Sequence, residues 1–242
     1  MLDYTAPNNE NTNMAKLKII VSATSLFCTR IEWALKLKGL EYELTFEDWS
    51  KGKSELLLKS NPAHKKVPVL LDDGIVIAES KVILEYIDEK WKGGDLYPLL
   101  PQDPCERAQA RFWAQFADDK CVFGTWGACC ADDALEKEKA VETALESFTY
   151  LEKQIEGKKF FAGDKIGYLD LVAGWIPHWL GVMEETGGIK ILDPERFPSL
   201  HEWAQNFIDI PLIKECYPPR DMLVNYSTVL LSYLRSSTPN KP

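Results

Sequence analysis

Clusters of basic residues and long apolar runs are both missing from this sequence. Its 28 lysine and arginine residues are outnumbered by 37 aspartate and glutamate residues, so the formal net charge is −9. Because an acidic chain repels nucleic-acid phosphates and anionic lipid surfaces, we expect neither a nucleic acid nor a membrane as a partner. No apolar run reaches the roughly 20 residues that a transmembrane helix needs.

The sequence also lacks the cysteine and histidine spacings that disulfide scaffolds and metal sites require. Its 6 cysteines are too sparse for a disulfide framework, and no two of them form a C-x-x-C pair. The 3 histidines stand far apart, so we predict neither a metal site nor a tightly bound cofactor. Residues 1–13 are polar and have no apolar signal core, which predicts a disordered tail on a cytoplasmic protein.

Strand and helix patterns alternate in the first part of the sequence. An apolar strand pattern at Leu17–Val21 is followed by an amphipathic helix pattern and by a second strand pattern at 42–46. Two apolar runs around Asp73–Gly74 give the strongest hairpin signal in the chain, and a further helix pattern follows. The order β-α-β then β-β-α predicts an α/β sandwich with a mixed sheet. The side chains expected to face the core from the two helices are Phe27, Ile31, Ala34, Leu35, Val82, Ile83, Tyr86 and Ile87.

Glycine and proline then mark a linker, after which the strand signals stop. We therefore predict a first domain at 14–92, a linker at 93–103 and a second domain at 104–242. The second domain has helical spacing throughout, most clearly in EKAVETALESFTYLEKQIE, and further helices are expected at 168–185, 199–208 and 220–235. The predicted fold class is thus α/β followed by all-α.

Ser25 and Cys28 lie where the first strand pattern gives way to the first helix pattern. The first turn of a helix has free N–H groups and the positive end of the helix dipole. Such a turn can stabilise an anion, including a thiolate. The junction is therefore a candidate site for chemistry on an anionic group.

Two further stretches are suited to holding a peptide. Pro68 opens a strand pattern, where an ordinary trans bond is the commoner arrangement. A cis Val67–Pro68 bond would instead turn the Val67 backbone outward, where it could pair with an extended peptide. Ser80 is an N-cap candidate for a helix whose N–H groups could bind a carboxylate, and Glu79 beside it could pair with an ammonium. A γ-glutamyl peptide carries both groups at one end.

The chain from about residue 16 to residue 226 resembles the soluble glutathione transferases, most closely the plant Tau class. The resemblance is carried, in order, by RIEWALKLKGLEYE, NPAHKKVPVL, IAESKVILEYIDEKW, LLPQDPCERAQARFWA and FFAGDKIGYLDLVAGW. It implies a thioredoxin-like domain followed by a helical domain, a cis bond before Pro68, and a symmetric homodimer. It also implies an enzyme that conjugates its co-substrate glutathione to small hydrophobic electrophiles, and that can also reduce organic hydroperoxides.

The resemblance assigns roles to single residues. Ser25 corresponds to the family's catalytic serine, and Val67 to the residue whose backbone pairs with the cysteinyl part of glutathione. The remaining glutathione contacts that it implies are Lys53 and Lys66 at the glycine carboxylate, and Glu79 and Ser80 at the γ-glutamyl end.

The resemblance also implies a pocket for the electrophile. Many family members have a positive side chain where this chain has Trp126, so we expect neutral aromatic ligands rather than anionic ones. The walls expected from the family pattern are Phe27, Val122, Trp126, Cys129 and Trp179.

Three further positions depart from the family pattern. Leu26 replaces a common proline, so the turn at Ser25 is less fixed by the covalent backbone. Gly167 replaces a serine or threonine, which removes one half of the capping box that Asp170 would complete. Cys28 stands where small or hydroxyl residues are common, and we expect it to pack in the helical turn, with glutathionylation as the alternative.

Two other functions remain open at this point. A non-catalytic carrier of apolar anions would use the same pocket as a transferase. A thiol transferase or dehydroascorbate reductase would need a cysteine where this chain has Ser25, and only Cys28 could supply the thiol.

Overall fold

A four-stranded mixed sheet and three helices form the first part of the computed structural model, which describes residues 17–48, 51–92 and 98–237. The sheet order is β2-β1-β3-β4, with β1 parallel to β2 and antiparallel to β3, so the predicted α/β sandwich is confirmed. The predicted tail at 1–13 and part of the predicted linker lie outside the described residues. The elements are β1 (Leu17–Val21), α1 (Leu26–Leu37), β2 (Glu43–Phe46), α2 (Glu55–Ser60), β3 (Val69–Asp72), β4 (Ile75–Ala78) and α3 (Ser80–Lys90).

The predicted hairpin joins β3 to β4. Asp72 pairs with Ile75, which leaves Asp73 and Gly74 as a two-residue turn. Both turn residues have positive φ, 49° at Asp73 and 86° at Gly74, as the tight turns that match strand twist require. The peptide bond between Val67 and Pro68 is cis, as the family resemblance implied.

The remaining described part of the chain is helical, apart from one isolated bridge between Phe160 and Gly163. The predicted all-α second part is therefore confirmed, although α10 was not predicted as a helix. In the first part, α2 was likewise not predicted. The helices are α4 (Pro104–Phe116), α5 (Phe123–Cys130), α6 (Ala134–Ile155), α7 (Tyr168–Ala173), α8 (Gly181–Gly187), α9 (Pro198–Ile208), α10 (Pro211–Lys214) and α11 (Arg220–Ser237). Two π-helical segments, Ala117–Val122 and Ile176–Leu180, join α4 to α5 and lead into α8.

The buried faces of α1 and α3 differ in part from the prediction. Ile31, Ala34 and Leu35 are fully buried as expected, but the α1 face also includes Trp33. Val82 was predicted to face the core and is 54% exposed, because the buried stripe of α3 runs through its neighbours Ile83, Leu84 and Ile87.

Trp33 connects α1 to the last third of the chain. Its indole Nε1 donates to the carbonyl of Ile213 in α10 at 3.1 Å. Its ring lies edge-on to the rings of Phe207 at 5.2 Å and Tyr217 at 5.5 Å. The first helix of the sheet domain therefore completes its packing against α9 and α10 in a core that spans both parts of the fold, while Ile20, Leu57 and Val69 form a separate small cluster under α2.

Asp170, near the start of α7, is fully buried and holds the loop between α6 and α7. Its carboxylate accepts from the backbone N–H groups of Phe161, Ala162 and Gly167 and from the indole of Trp203. Burial raises the pKa of Asp170 to about 6, and these hydrogen bonds oppose the rise.

Lack of space explains why position 167 is a glycine. A Cβ atom built on Gly167 would lie 2.4 Å from the Cβ of Ala162. The loop that Asp170 holds thus occupies the space where a serine or threonine side chain would lie. Only the Asp170 half of the capping box is made, through its 2.8 Å bond to the Gly167 N–H.

Candidate active site

Ser25 is the N-cap of α1, in a tight turn that follows β1. Its backbone is extended, with φ −84° and ψ 113°, and its Oγ accepts from the Cys28 N–H at 3.3 Å. The Ser25 N–H donates to the Ser22 carbonyl at 3.1 Å, which closes the turn. A hydroxyl has a proton to donate as well as lone pairs, so Ser25, which is partly exposed, can donate to an anion at this helix start.

Cys28 lies beneath this turn and has no exposed surface. Its Sγ accepts from the Ser22 N–H at 3.4 Å, so the thiol helps to fix the far end of the turn. Burial raises the pKa of Cys28 to about 12, and the nearby Ser25 hydroxyl and Ser22 N–H only partly offset it. Because a protonated, inaccessible thiol is neither a nucleophile nor easily oxidised, the geometry favours the packing role expected for Cys28.

The loop before Pro68 is braced by Asn61. The Asn61 side chain accepts from the His64 N–H at 3.1 Å and donates to the Lys66 carbonyl at 3.0 Å. These bonds fix the loop on both sides of Lys65, which has a positive φ of 54°. Asn61 was not among the predicted site residues; the Asn-Pro start of the loop was the available signal.

Glu79 and Ser80 stand at the opposite end of the hairpin from its turn, beside Val67. Val69 pairs with Ala78 across the hairpin. Val67 lies two residues before Val69, and Glu79 lies one residue after Ala78, so both are at the same end of the sheet. The prediction of Ser80 as an N-cap is wrong, because Glu79 is the residue before the helix and Ser80 is its first residue. Glu79 has a φ of 73°, so the chain turns from β4 directly into α3 without a side-chain cap.

The side chains of this pair have other partners. The Ser80 Oγ accepts from an Arg30 guanidinium nitrogen at 3.4 Å, which ties the start of α3 to α1. The Glu79 Oε1 lies 2.6 Å from the Nδ1 of His64, which ties it to the loop before Pro68. Only one carboxylate oxygen of Glu79 is engaged by His64, so the other can accept from an ammonium group.

Arg30 also joins the two parts of the fold beneath the site. Its guanidinium makes a two-pronged ion pair with Asp118, with N–O distances of 2.8 and 3.0 Å. The Arg30 side chain is only 1% exposed, and it donates further to the carbonyl of Val172 in α7. Sequence reasoning missed this pair because 88 residues separate its members.

The structure separates the predicted electrophile walls into two groups. Val122 and Cys129 have no exposed surface, and Trp179 is 5% exposed. In this structure the first two are core residues, because a fully buried side chain cannot touch a ligand; Cys129 packs between α5 and α8. Phe27 and Trp126 are the predicted walls that are only partly buried, so each keeps some exposed surface.

Phe123 is a further aromatic residue on the same side. Its ring centroid lies 6.3 Å from that of Phe27, and its side chain is 56% exposed. Phe27 also lies under the Arg30 guanidinium, 5.0 Å from its ring centroid, and this contact holds the ring in place.

A cavity of about 760 Å³ lies elsewhere, between the linker, α4 and α6. None of the predicted glutathione or electrophile contacts lines it.

The predicted lysines lie at the surface. Lys53 precedes α2, whose N-cap Ser54 is held by the buried carboxylate of Glu47 through the Ser54 N–H at 3.0 Å. Lys66 ends the loop that Asn61 braces. Both lysines are exposed, and the structure does not connect Lys53 to the other predicted residues by a direct contact.

Comparison with known proteins agrees with this geometry. Residues 18–89 match the glutathione S-transferase N-terminal domain, and residues 105–211 match the glutathione S-transferase C-terminal domain. The chain is 48% identical to glutathione transferase GST 23 of Zea mays over 208 residues, 86% of this chain and 92% of that protein. It is 45% identical to glutathione S-transferase U8 of Arabidopsis thaliana, over 89% of this chain and 94% of the relative.

Solved structures give the same result. The mango Tau class glutathione S-transferase superimposes with a TM-score of 0.83 at 39% identity, over 89% of this chain and 98% of that one. Rice GST1, solved in complex with glutathione, gives 0.80 at 30% identity, over 90% and 97%. The chain therefore belongs to the glutathione S-transferase family. Within that family it is a Tau-class glutathione transferase.

These matches confirm the resemblance, the fold class and the transferase function predicted from the sequence. Within the three described ranges, no helix is both long and apolar enough to cross a bilayer.

Proposed function

We propose that this transferase is of the serine type, with Ser25 donating a hydrogen bond to the thiolate of bound glutathione. The position of Ser25 supports this role most directly. Ser25 is a partly exposed residue at the start of α1, where the N–H groups of the first turn favour an anion. The neighbouring thiol is buried and protonated, so Cys28 does not offer a competing nucleophile. This disfavours the thiol-transferase alternative.

The required stabilisation is within reach of these groups. A free thiol with a pKa of about 8.5 is only a few per cent ionised at pH 7. Lowering that pKa by about two units requires about 2.7 kcal/mol of preference for the thiolate. One hydrogen bond to a charged group contributes about 1.5–3 kcal/mol. The Ser25 hydroxyl together with the helix start can therefore supply the shift.

The glutathione backbone would lie along the cis-proline loop and the start of α3. Val67 would pair with the cysteinyl part through its backbone, while Glu79 would bind the ammonium of the γ-glutamyl end. The remaining proposed contacts are Ser80 at the γ-glutamyl carboxylate, and Lys53 and Lys66 at the glycine carboxylate. The pairing of Val69 with Ala78 supports this arrangement, because it brings Val67 and Glu79 to the same end of the sheet.

The electrophile would be a neutral aromatic or unsaturated molecule that packs against Phe27, Phe123 and Trp126. Phe27 lies two residues after Ser25 on α1, so an apolar ligand on its ring would be close to the glutathione sulfur. Organic hydroperoxides are a second candidate substrate class, because the same thiolate can attack a peroxide oxygen.

We also propose a homodimer and a cytoplasmic location. Exposed apolar side chains on α3, α4 and α6 support the dimer, since Val82 is 54%, Phe112 60% and Tyr150 52% exposed. All 6 cysteines are free thiols, which suits a reducing compartment.

Replacing Ser25 with alanine tests the catalytic proposal. Ser25→Ala should lower conjugation at pH 6.5 by about 10- to 100-fold, because the thiolate loses a donor worth about 1.5–3 kcal/mol. Part of the loss should return as the pH rises and the thiol ionises unaided. The measurement is a pH–rate profile of conjugation, together with the pKa of the bound thiol read from its thiolate absorbance.

The matched control is Cys28→Ser, which keeps an acceptor for the Ser22 N–H at the same place in the turn. It should leave the profile nearly unchanged. If Cys28→Ser abolishes activity while Ser25→Ala retains it, the roles are reversed and the thiol-transferase reading is the better one.

Replacing Glu79 tests the glutathione site. Glu79→Gln should weaken glutathione binding by about five- to tenfold, because a charge-assisted hydrogen bond to the ammonium becomes a neutral one that is about 1–1.5 kcal/mol weaker. Isothermal titration calorimetry measures the affinity directly. Glu43→Gln, a like change at an exposed carboxylate on β2, is the control and should leave affinity unchanged. Equal affinities for both variants would remove Glu79 from the site.

A further inference from the structure

The indole of Trp179 reaches the catalytic turn from the helical part of the chain. Its Nε1 donates to the carbonyl of Thr24 at 3.0 Å, across a separation of 155 residues. Thr24 is the residue immediately before Ser25. With 5% of its surface exposed, Trp179 offers little area to a ligand, yet its polar atom contacts the turn that carries the chemistry.

The contact fixes the peptide plane that precedes Ser25. The Thr24 carbonyl and the Ser25 N–H belong to one planar peptide group. Trp179 holds the oxygen end of that plane, and the Ser22 carbonyl holds the N–H end at 3.1 Å. With both ends held, the peptide plane from which Ser25 projects its side chain is restrained, and the bond that the Ser25 Oγ accepts from the Cys28 N–H at 3.3 Å orients its oxygen.

The indole itself has a fixed direction. Its ring lies edge-on to that of Trp33, with centroids 6.4 Å apart, and tilted against that of Tyr217 at 5.7 Å. The turn needs such an external restraint because Leu26 follows Ser25, and leucine does not lock the backbone as a proline would.

We propose that Trp179 is a positioning residue for Ser25: its N–H holds the Thr24 carbonyl, so that the serine hydroxyl points at the glutathione sulfur. This inference rests on the proposed catalytic role of Ser25. It gives Trp179 a function other than the electrophile wall expected from the sequence, and it makes the helical domain part of the thiolate site.

Trp179→Phe removes the N–H and keeps an aromatic ring. Conjugation at pH 6.5 should fall about three- to tenfold, as the loss of one neutral hydrogen bond implies, and the bound thiol pKa should rise toward its solution value. The deficit should shrink at higher pH. Amide hydrogen exchange of residues 22–29 should become faster, because the turn loses a restraint.

Trp175→Phe is the matched control. Trp175 is 1% exposed, its ring packs against Phe148, and its buried Nε1 has no hydrogen-bond partner among the described residues. The substitution removes the same atoms from the same core without removing a bond. It should leave the thiol pKa and the exchange of residues 22–29 unchanged. An equal effect of both variants would reduce the Trp179 contact to packing and overturn the proposal.

A double variant separates positioning from an independent effect. In a Ser25→Ala background, Trp179→Phe should change conjugation less than twofold, because there is no hydroxyl left to aim. A further three- to tenfold loss there would overturn the proposal. If Ser25→Ala itself leaves the pH profile unchanged, the proposed serine role fails. The hydrogen-exchange comparison still decides, in that case, whether Trp179 holds the turn.

Discussion

Asp118→Ala should lower the free energy of unfolding by about 3–5 kcal/mol, because it leaves the Arg30 guanidinium buried without its carboxylate. Arg30 is 1% exposed and both of its terminal nitrogens bond to Asp118, so water cannot replace the lost partner without opening the structure. The Ser80 contact of Arg30 would move with it. Urea unfolding, followed by tryptophan fluorescence and by circular dichroism, measures the change.

Two controls separate this effect from a general loss of charge. Glu43→Ala breaks the exposed Lys18–Glu43 pair, whose side chains are 38% and 51% exposed, and should cost less than about 1 kcal/mol. The double variant Arg30→Met/Asp118→Leu removes both buried charges and should recover a large part of the loss. If Asp118→Ala were no more harmful than Glu43→Ala, the buried pair would not be stabilising the domain contact.

Asp170→Asn should cost about 2–4 kcal/mol, because an amide N–H₂ would face N–H groups that the carboxylate now accepts. Asp170 takes four such donors and has no exposed surface, so its replacement would leave at least one of them unsatisfied. The loop between α6 and α7 should open first. Urea unfolding gives the total cost, and hydrogen exchange at residues 160–168 shows where it arises.

The control for this change is Asp133→Asn. Asp133 is the exposed N-cap of α6 and accepts from the N–H groups of Leu135 and Glu136 at 2.9 and 3.0 Å. Asparagine caps a helix about as well as aspartate, so the same substitution at Asp133 should hardly change the free energy of unfolding. A similarly small effect at both positions would mean that the α6–α7 loop does not depend on the buried carboxylate.

The local part of the fold was predictable because its signals are local. The Asp73–Gly74 turn needs two residues that accept positive φ, and the sequence provides them between two apolar runs. Ser80 shows the limit of such signals: serine is a good cap, but the left-handed turn at Glu79 shifted the helix start by one residue. The α2 helix was missed although Ser54 and Glu55 form a recognisable start.

The candidate site was predictable where the family pattern names residues and was incomplete where distant residues meet. Ser25, Val67 and Glu79 were named from the resemblance. By contrast, the bonds from Arg30 to Asp118 and from Trp179 to Thr24 cross 88 and 155 residues, and no period or spacing in the sequence indicates them. The burial of Val122 and Cys129 likewise depends on how the π-helical segment before α5 and α5 itself pack, and the family pattern does not specify that packing.

The packing of Trp33 has a consequence during protein synthesis. Its indole donates to the carbonyl of Ile213 and packs against the ring of Phe207, and both residues come far after the end of the sheet domain in the sequence. A ribosome adds about 120 residues between the end of α3 and Ile213, which at about 5–20 residues per second takes roughly 6–24 s. Until those residues emerge, the tryptophan face of α1 lacks its partners in α9 and α10, so a newly made sheet domain exposes an apolar surface that the finished chain buries.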